Sequence, residues 1–311
     1  MSQAHAQGTA VEGWDLAALN GVLAYTPEDM TVTVESGMTL SDLQTVLAPH
    51  RQWVPLDPPN PANCSLEQLL SENLSGPRRC GYGTVRDHVI GLRAILADGR
   101  EIHSGGNVVK NVAGYDVHKL LIGARGALGI IVEVTFKLLP LPEAEAFFQL
   151  ECIDWNEMER RVERVWNSIC QPVVFDLFQA GVERRSGCTL VLGFAGARED
   201  VESQSAWAIQ EGFRWSPGLT HDDEFLGREG AGAVMEQSVL PSKLVAAARE
   251  LPDGWLVARV ANGLLRYRAL TSRVNDLRPL ATSVTSSTAK QLSDRVKQGF
   301  DPKGILPSIP I

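Results

Sequence analysis

Three glycine-rich strings between residues 76 and 129 are the part of this sequence whose residue types and spacing could do chemistry. They read S-G-P-R-R-C-G-Y-G-T-V-R-D-H-V-I-G from Ser75, G-G-N-V-V-K-N-V-A-G-Y-D-V-H-K-L from Gly105 and G-A-R-G-A-L-G from Gly123. Glycine lets the main chain approach a ligand closely and adopt positive φ, so this density favours a diphosphate or planar ring held by backbone amides. Tight turns between short strands would use the same residues, and glycine content alone leaves both interpretations open.

Carboxylates stand near imidazoles at two positions, where they could move protons. Asp87 precedes His88, and Asp116 lies two residues before His118. General acid–base catalysis needs a group held within hydrogen-bonding distance of a reacting atom. Adjacent residues of a strand face opposite sides of a sheet, and nothing fixes a nucleophile beside either pair. The sequence therefore assigns no catalytic residue.

Candidate metal and anion ligands have ordinary explanations. The run H-D-D-E from His221 to Glu224 is predicted to be a solvated loop, because consecutive acidic residues usually face water. The five cysteines include no C-x-x-C pair, so no metal site is predicted and reduced, mostly buried thiols are expected. Arg78 and Arg79 could anchor the carboxylate or phosphate of a ligand, or form a surface pair.

Composition and charge exclude several classes of protein. The chain has 311 residues, with 29 Lys and Arg against 37 Asp and Glu, a net charge of −8 without a basic cluster. Binding to nucleic acid or to an anionic membrane is therefore not expected. The first ten residues are polar and no apolar stretch reaches the length of a membrane span, so a cytoplasmic location without an integral membrane segment is expected.

The elements that must position the glycine-rich strings are strands and short helices. Alternation over 30–35 predicts a strand, and capping-box spacing at Thr39 and Asp42 predicts a helix after the turn at Gly37. Asp98-Gly99 predicts a hairpin, and the apolar alternation from Gly129 to Leu139 predicts the clearest strand.

A second pattern of strands and helices begins after Pro142, and a chain of this length is expected to form two lobes. Strands are predicted at 147–153, 173–178, 190–194 and 255–260, with helices between them and a last helix from Ser287. The tryptophans of this lobe fit core packing or a subunit contact, and the core is favoured: Trp155, Trp166, Trp207, Trp215 and Trp255.

From Asp15 to Ala144 the strings occur in the order and at the distances found in one family. V-P-L-D-P-P follows from Val54, and the most specific strings are V-V-K-N-V-A-G-Y-D from Val108 and G-x-L-G-I-I-x-E from Gly126. The sequence resembles the FAD-binding subunit of glycolate oxidase, a member of the PCMH-type or vanillyl-alcohol-oxidase FAD-binding superfamily.

The resemblance implies an α+β fold, with a PCMH-type FAD-binding domain and an α+β cap domain. It implies an FAD domain over 1–142 that lacks its first strand-helix-strand unit, a cap or substrate domain over 143–286, and a C-terminal helix and tail over 287–311 that return to the FAD domain. By resemblance FAD is the cofactor and no metal is bound. The residues that the resemblance assigns to FAD are Pro58, Ser65, Gly76, Gly81, Tyr82, Gly83, Asp87, Lys110, Asn111, Gly114, Tyr115, Leu128, Gly129, Ile130 and Ile131.

Three departures from the family touch the cofactor region. The chain starts after the family's first phosphate loop, and its last residues, G-I-L-P-S-I-P-I, replace an asparagine-proline-glycine-arginine tail. Ser65, Leu66, Glu67 and Gln68 replace a Thr-x-Gly-Gly turn whose amides face the diphosphate in the family. Ser65 and Gln68 have capping-box spacing, and the Glu67 carboxylate is expected at the positive end of the helix. At ~4 Å from a phosphate it would oppose binding by about 4 kcal/mol.

Two functions are compatible with this sequence. The first is an FAD-dependent oxidoreductase subunit that oxidises a small 2-hydroxy acid in a complex with a second flavoprotein subunit and an iron–sulfur subunit, as the resemblance implies. The second is a flavin-deficient structural or assembly subunit descended from the same family. A nicotinamide dehydrogenase is excluded, because no G-x-G-x-x-G links a strand to a helix.

Overall fold

The structure is a computed structural model that describes residues 16–106, 116–179, 188–227, 231–270 and 287–309. The chain divides into two compact units. Unit 1 comprises Met1–Ser75, Thr84–Leu141 and Thr285–Ile311, and unit 2 comprises Gly76–Gly83 and Pro142–Val284.

The described residues form strands and helices throughout both units. The strands are β1 (Val22–Thr26), β2 (Thr31–Glu35), β3 (Gln52–Trp53), β4 (Val89–Ile95), β5 (Glu101–Gly105), β6 (Ile130–Lys137), β7 (Leu139–Pro140), β8 (Ala144–Cys152), β9 (Val174–Gln179), β10 (Cys188–Gly196), β11 (Arg214–Ser216), β12 (Ala231–Ser238), β13 (Gly254–Arg259) and β14 (Leu264–Leu270). The helices are α1 (Leu40–Leu47), α2 (Leu66–Ser71), α3 (Arg79–Tyr82), α4 (Val85–His88), α5 (His118–Leu121), α6 (Trp155–Trp166), α7 (Arg198–Gln210), α8 (His221–Leu226), α9 (Leu244–Glu250) and α10 (Ser287–Phe300).

Unit 1 is built on an antiparallel sheet in the order β1-β2-β6-β4-β5. The apolar residues of β2, β4 and β6 pack with the buried faces of α1 and α2 into one core that includes Val34, Leu43, Leu69 and Phe136. The Thr39 hydroxyl caps α1 by accepting from the Asp42 amide at 3.1 Å, as its capping-box spacing predicts. Local sequence signals therefore account for this part of the fold.

Unit 2 is built on a larger antiparallel sheet in the order β11-β8-β10-β9-β13-β14-β12. One face packs against α6, α7 and α9 in a core that includes Phe148, Met158, Leu192 and Leu256. The other face carries α8, where Phe225 packs on Trp255 and its neighbours. The predicted mixture of strands and helices is confirmed, and with it the α+β fold class.

Two local expectations are wrong. Asp87 and His88 end the short helix α4 and do not lie on a strand, because Thr84 and Asp87 cap each other and set a helical turn. Trp166 and Trp215 are 49% and 68% exposed, not core residues, because Trp166 ends α6 and Trp215 lies on the edge strand β11. The division of the chain into an FAD-binding domain and a cap domain stays a prediction.

A buried ion pair holds the end of α10 in unit 1. The Lys297 ammonium donates to the Asp301 carboxylate at 2.6 Å and to the Ala127 carbonyl at 2.8 Å. Asp301 also accepts from the amides of Ile305 and Leu306 at 2.9 and 2.8 Å. Burial raises the pKa of Asp301, but these hydrogen bonds outweigh it and bring the pKa to about 2.

Replacing Asp301 by Asn is expected to lower the free energy of unfolding by about 1–2 kcal/mol at pH 7. A carboxyl whose pKa is lower in the folded state stabilises above its unfolded pKa of about 3.9 and loses that effect as the pH falls through the folded value. The difference in free energy of unfolding between wild type and Asp301→Asn should therefore have its full size at pH 5–7 and decrease between about pH 4 and 2. Urea denaturation at pH 7, 4 and 3 measures it. Asp294→Asn, at an exposed position of α10, is the control, and an equal deficit at every pH would contradict the assignment.

Candidate cofactor site

The start of α2 is the position where the family resemblance places the diphosphate of FAD. Ser65 is the N-cap of this helix, and its hydroxyl accepts from the Gln68 amide at 3.1 Å, as predicted. Leu66, Leu69 and Leu70 are fully buried in the core of unit 1. The helix is therefore fixed by its own cap and by its apolar face.

The first-turn amides of α2 are already bonded to acceptors of the protein. The Leu66 amide donates to the Met38 carbonyl at 2.8 Å, and the Glu67 amide donates to the Ser36 carbonyl at 2.7 Å. Since the Gln68 amide is taken by Ser65, all three N–H groups have partners. A diphosphate at this helix start would have to break these bonds.

The segment from Ser36 to Met38, which supplies two of those acceptors, is itself held firmly. The Ser36 amide donates to the Val132 carbonyl at 3.0 Å, and its buried hydroxyl donates to the Ile131 carbonyl at 2.7 Å. The Gly37 amide donates to the Leu19 carbonyl at 2.9 Å. The end of β2, the start of β6 and the start of α2 thus form one hydrogen-bonded junction.

Glu67 interacts along the helix and not at its amino end. Burial raises the pKa of the Glu67 carboxyl, a hydrogen bond with Ser71 one turn further on lowers it, and Glu72 raises it; the net shift is upward. The sequence predicts a carboxylate in the position of the phosphate, and the structure shows protein carbonyl groups bonded to the amides instead. The residues at the start of α2 therefore do not fit the diphosphate of FAD.

The other residues predicted to bind FAD fall into both units. Pro58, Asp87 and the run from Leu128 to Ile131 lie in unit 1, whereas Gly76, Gly81, Tyr82 and Gly83 lie in unit 2. Ser36 brings Ile131 and the start of α2 together, as described above. Lys110, Asn111, Gly114 and Tyr115 lie outside the described residues. The assignment of all these residues to FAD stays a prediction.

Several of these residues have local structural roles in the described chain. A Cβ at Gly81 would lie 2.7 Å from the Val173 Cα, so glycine is needed there for the close approach of these two segments of unit 2. The Asp87 carboxylate accepts from the Thr84 amide at 2.8 Å. Burial raises the pKa of Asp87, and the bonds from Thr84 outweigh that effect and lower it. Ile130 and Ile131 pair with β4.

Arg78, considered as an anchor for an anionic ligand, is engaged within unit 2. Its guanidinium donates to both carboxylate oxygens of Glu145 at 2.8 Å and lies 5.5 Å from the centre of the Phe147 ring. A bidentate pair of this kind satisfies the charge of the arginine. This arrangement supports the alternative of an ion pair within the protein.

A buried charged cluster in unit 2 was missed by sequence reasoning. Asp176, His221, Asp222 and Arg259 are 0%, 1%, 6% and 2% exposed. The Arg259 guanidinium donates to Asp176 and to Asp222, and the His221 Nε2 lies 2.8 Å from an Asp176 oxygen. Burial raises the pKa of Asp222, and Arg259 outweighs that effect and lowers it.

The expectation of a solvated acidic loop at 221–224 is therefore wrong for its first two residues. Both residues lie at the start of α8 and face inward. Arg259, on β13, neutralises the Asp222 carboxylate, and the His221 ring contacts the Asp176 carboxylate. No local pattern signals this, since the arginine is distant in sequence. Within the described ranges, no group of three or more His, Cys, Asp or Glu side chains is arranged to hold a metal ion.

The comparisons with known proteins define the class of fold. Residues 6–105 match the family described as FAD binding domain. Two structures of alkyldihydroxyacetonephosphate synthase superpose with TM-scores of 0.65 and 0.67 at 17% identity, and each superposition covers 93% of this chain and 65% of that one. The chain therefore shares its fold with this synthase, which confirms the predicted α+β fold class.

Curated relatives identify the particular resemblance. The chain is 35% identical over 138 residues to glycolate oxidase subunit GlcE of Escherichia coli (strain K12), covering 44% of this chain and 39% of that protein. It is 37% identical over 127 residues to glycolate oxidase subunit GlcD of Bacillus subtilis (strain 168), covering 41% and 27%. It is 35% identical over 151 residues to a probable mitochondrial D-lactate dehydrogenase of Danio rerio, covering 44% and 30%.

The resemblance to glycolate oxidase subunits is thus confirmed, and FAD is the cofactor that this resemblance implies. The matched part spans at most 39% of the length of these three relatives. In the described parts of the chain, none of the helices has both the length and the apolar character needed to cross a membrane.

Proposed function

We propose that this chain is a subunit of an FAD-dependent oxidoreductase that oxidises small 2-hydroxy acids. The observation that carries the proposal is the match of residues 6–105 to the FAD binding domain, together with relatives that are glycolate oxidase subunits and a D-lactate dehydrogenase. FAD would supply the hydride acceptor in such a reaction, and the protein would bind and orient the substrate and exclude water from it. The proposed partners are a second flavoprotein subunit and an iron–sulfur subunit. Two of the relatives are named as subunits, which supports membership of a complex.

A second candidate is favoured by one specific observation. The amides of Leu66, Glu67 and Gln68 are bonded to protein oxygens, so a diphosphate at this helix start would have to displace those acceptors. This supports a chain that serves the complex as a structural or assembly subunit and holds no flavin of its own at α2. Both candidates place the chain in the same complex. In the first the chain holds FAD itself, and in the second, which the bonded amides of α2 favour, the companion subunits hold the FAD.

Reconstitution with and without this chain tests the shared proposal. The companion subunits would be co-expressed with the tagged chain, purified through the tag, supplied with FAD, and assayed by reduction of an artificial dye with glycolate and with D-lactate. We expect dye reduction that depends on one of these 2-hydroxy acids and is lost when the chain is left out. A chain that purifies alone, and whose omission leaves the rate unchanged, would contradict the proposal.

A further inference from the structure

We propose that Cys152 and Cys188 are a modification site: a hydroperoxide converts them into a disulfide that joins β8 to β10. The two residues are paired directly opposite each other in the antiparallel register of these strands. They are not disulfide-bonded in this structure. Both lie in unit 2, and the inference is independent of the proposed function.

The register places the two sulfurs on the same side of the sheet. Directly opposed residues of an antiparallel pair share a face, and both side chains are buried in the core beneath α6 and α7, at 2% and 6% exposure. Their Cα atoms are expected about 4.5–5.5 Å apart, within the roughly 4.4–6.8 Å that disulfides span. The Cβ atoms of such pairs are about 0.5–1 Å further apart than in a relaxed disulfide, so the bond should be strained and readily reduced.

The oxidation needs one equivalent of a hydroperoxide, such as hydrogen peroxide. A thiolate of the pair attacks the peroxide, forms a sulfenic acid and releases water. The second thiol then attacks that sulfur, the S–S bond forms and the sulfenic oxygen leaves as a second water. Two thiols are thus oxidised by two electrons while the peroxide is reduced to two waters.

Cys64, Cys80 and Cys170 lack this arrangement, because none of them lies on a strand of the described chain. Cys64 is buried in the core of unit 1, and the Cys80 thiol donates to the Pro172 carbonyl at 3.2 Å. Burial, and then the nearby Asp176, raise the pKa of Cys80 to about 12, which keeps it protonated. Among the described cysteines, Cys152 and Cys188 therefore lie directly opposite each other on neighbouring strands, with both side chains on the same buried face.

The bond would close a loop containing α6 and β9. Such a closure stabilises chiefly by restricting the unfolded chain. We expect the Tm of the oxidised protein to rise by roughly 5–10 °C and to return after treatment with dithiothreitol. Burial raises the pKa of Cys152 to about 11, so the oxidation should be slow at pH 7 and faster at pH 9.

Thiol counting and peptide mapping test the proposal. The reduced full-length chain, treated with one equivalent of hydrogen peroxide and then denatured, should fall from five titratable thiols to three. Cys64→Ala, the control, should fall from four to two, and Cys188→Ala should keep four.

Mass spectrometry of the oxidised wild type needs no variant. It therefore shows which cysteines are joined even if Cys188→Ala does not fold. A cross-linked peptide pair containing Cys152 and Cys188 would support the proposal. Five retained thiols, a sulfenic acid without a cross-link, or a bond between any other two cysteines would overturn it.

Discussion

Replacing Arg259 by Met is expected to lower the free energy of unfolding of unit 2 by about 3–5 kcal/mol at pH 7. The Arg259 guanidinium is the cation that neutralises Asp176 and Asp222. The three side chains are almost completely buried. Methionine fills a similar volume but leaves two carboxylates without their counter-charge in a medium of low dielectric constant.

The pH dependence distinguishes lost charge from lost packing. The pKa of Asp222 is lowered in the folded protein, so its stabilising effect is present above the unfolded pKa of about 3.9 and is lost as the pH falls through the folded value. In Arg259→Met the buried Asp222 carboxylate has lost its counter-charge and favours taking up a proton instead. The difference in free energy of unfolding between wild type and Arg259→Met should therefore decrease from pH 7 to pH 4. Urea denaturation followed by tryptophan fluorescence measures this difference. Arg249→Met, at a partly exposed arginine of unit 2, should change stability by less than about 0.5 kcal/mol; similar losses in both variants would contradict the account.

Replacing Gly37 by Ala is expected to destabilise unit 1 by about 3 kcal/mol. A Cβ at this position would lie 1.8 Å from the Leu16 carbonyl oxygen and 2.7 Å from that of Leu19. Backbone oxygens cannot rotate away as a flexible side chain can, so the chain on both sides must shift. Ser36 and Met38 would move with Gly37, which disturbs the acceptors of the α2 amides.

Gly299→Ala is the matched control for this substitution. Gly299 lies in α10, and a Cβ there meets nothing within 4 Å. Alanine should raise stability there by about 0.5–1 kcal/mol, because glycine is the weaker helix former. Thermal and urea unfolding of both variants would measure the contrast, and a Gly37→Ala protein as stable as wild type would contradict the close approach seen in the structure.

Much of the fold follows from local sequence signals. The alternating residues of β6 and the caps at Thr39 and Ser65 predict elements that the structure confirms. These predictions succeed because the buried face of a strand and the cap of a helix are determined by residues that are close in sequence. The same reasoning misplaced Asp87 and His88, where the mutual cap of Thr84 and Asp87 sets a helical turn.

Two features that the sequence did not reveal depend on contacts between distant residues. Asp222 is buried because Arg259 lies opposite it, and a run of acidic residues alone suggests solvent. The amides of Leu66 and Glu67 are bonded to Met38 and Ser36, which approach α2 only once β2 and β6 have paired. The sequence did draw attention to α2, since Glu67 and Gln68 mark the departure from the family there. Glu67 and Ser71 are four residues apart, and this helical spacing was the available signal that the Glu67 carboxyl interacts with the next turn of the helix.

FAD binding by the purified chain tests the central claim most directly, namely that the start of α2 is closed by the protein's own carbonyl and hydroxyl oxygens. The measurement is the visible spectrum and an isothermal titration with FAD, on wild type and on the double variant Glu67→Gly, Gln68→Gly. We expect a colourless protein whose Kd for FAD is weaker than about 100 μM, and no gain in the double variant, because its amides keep their bonds to Ser36 and Met38. A yellow wild-type protein, or saturable binding of FAD at low micromolar concentration, would contradict the claim.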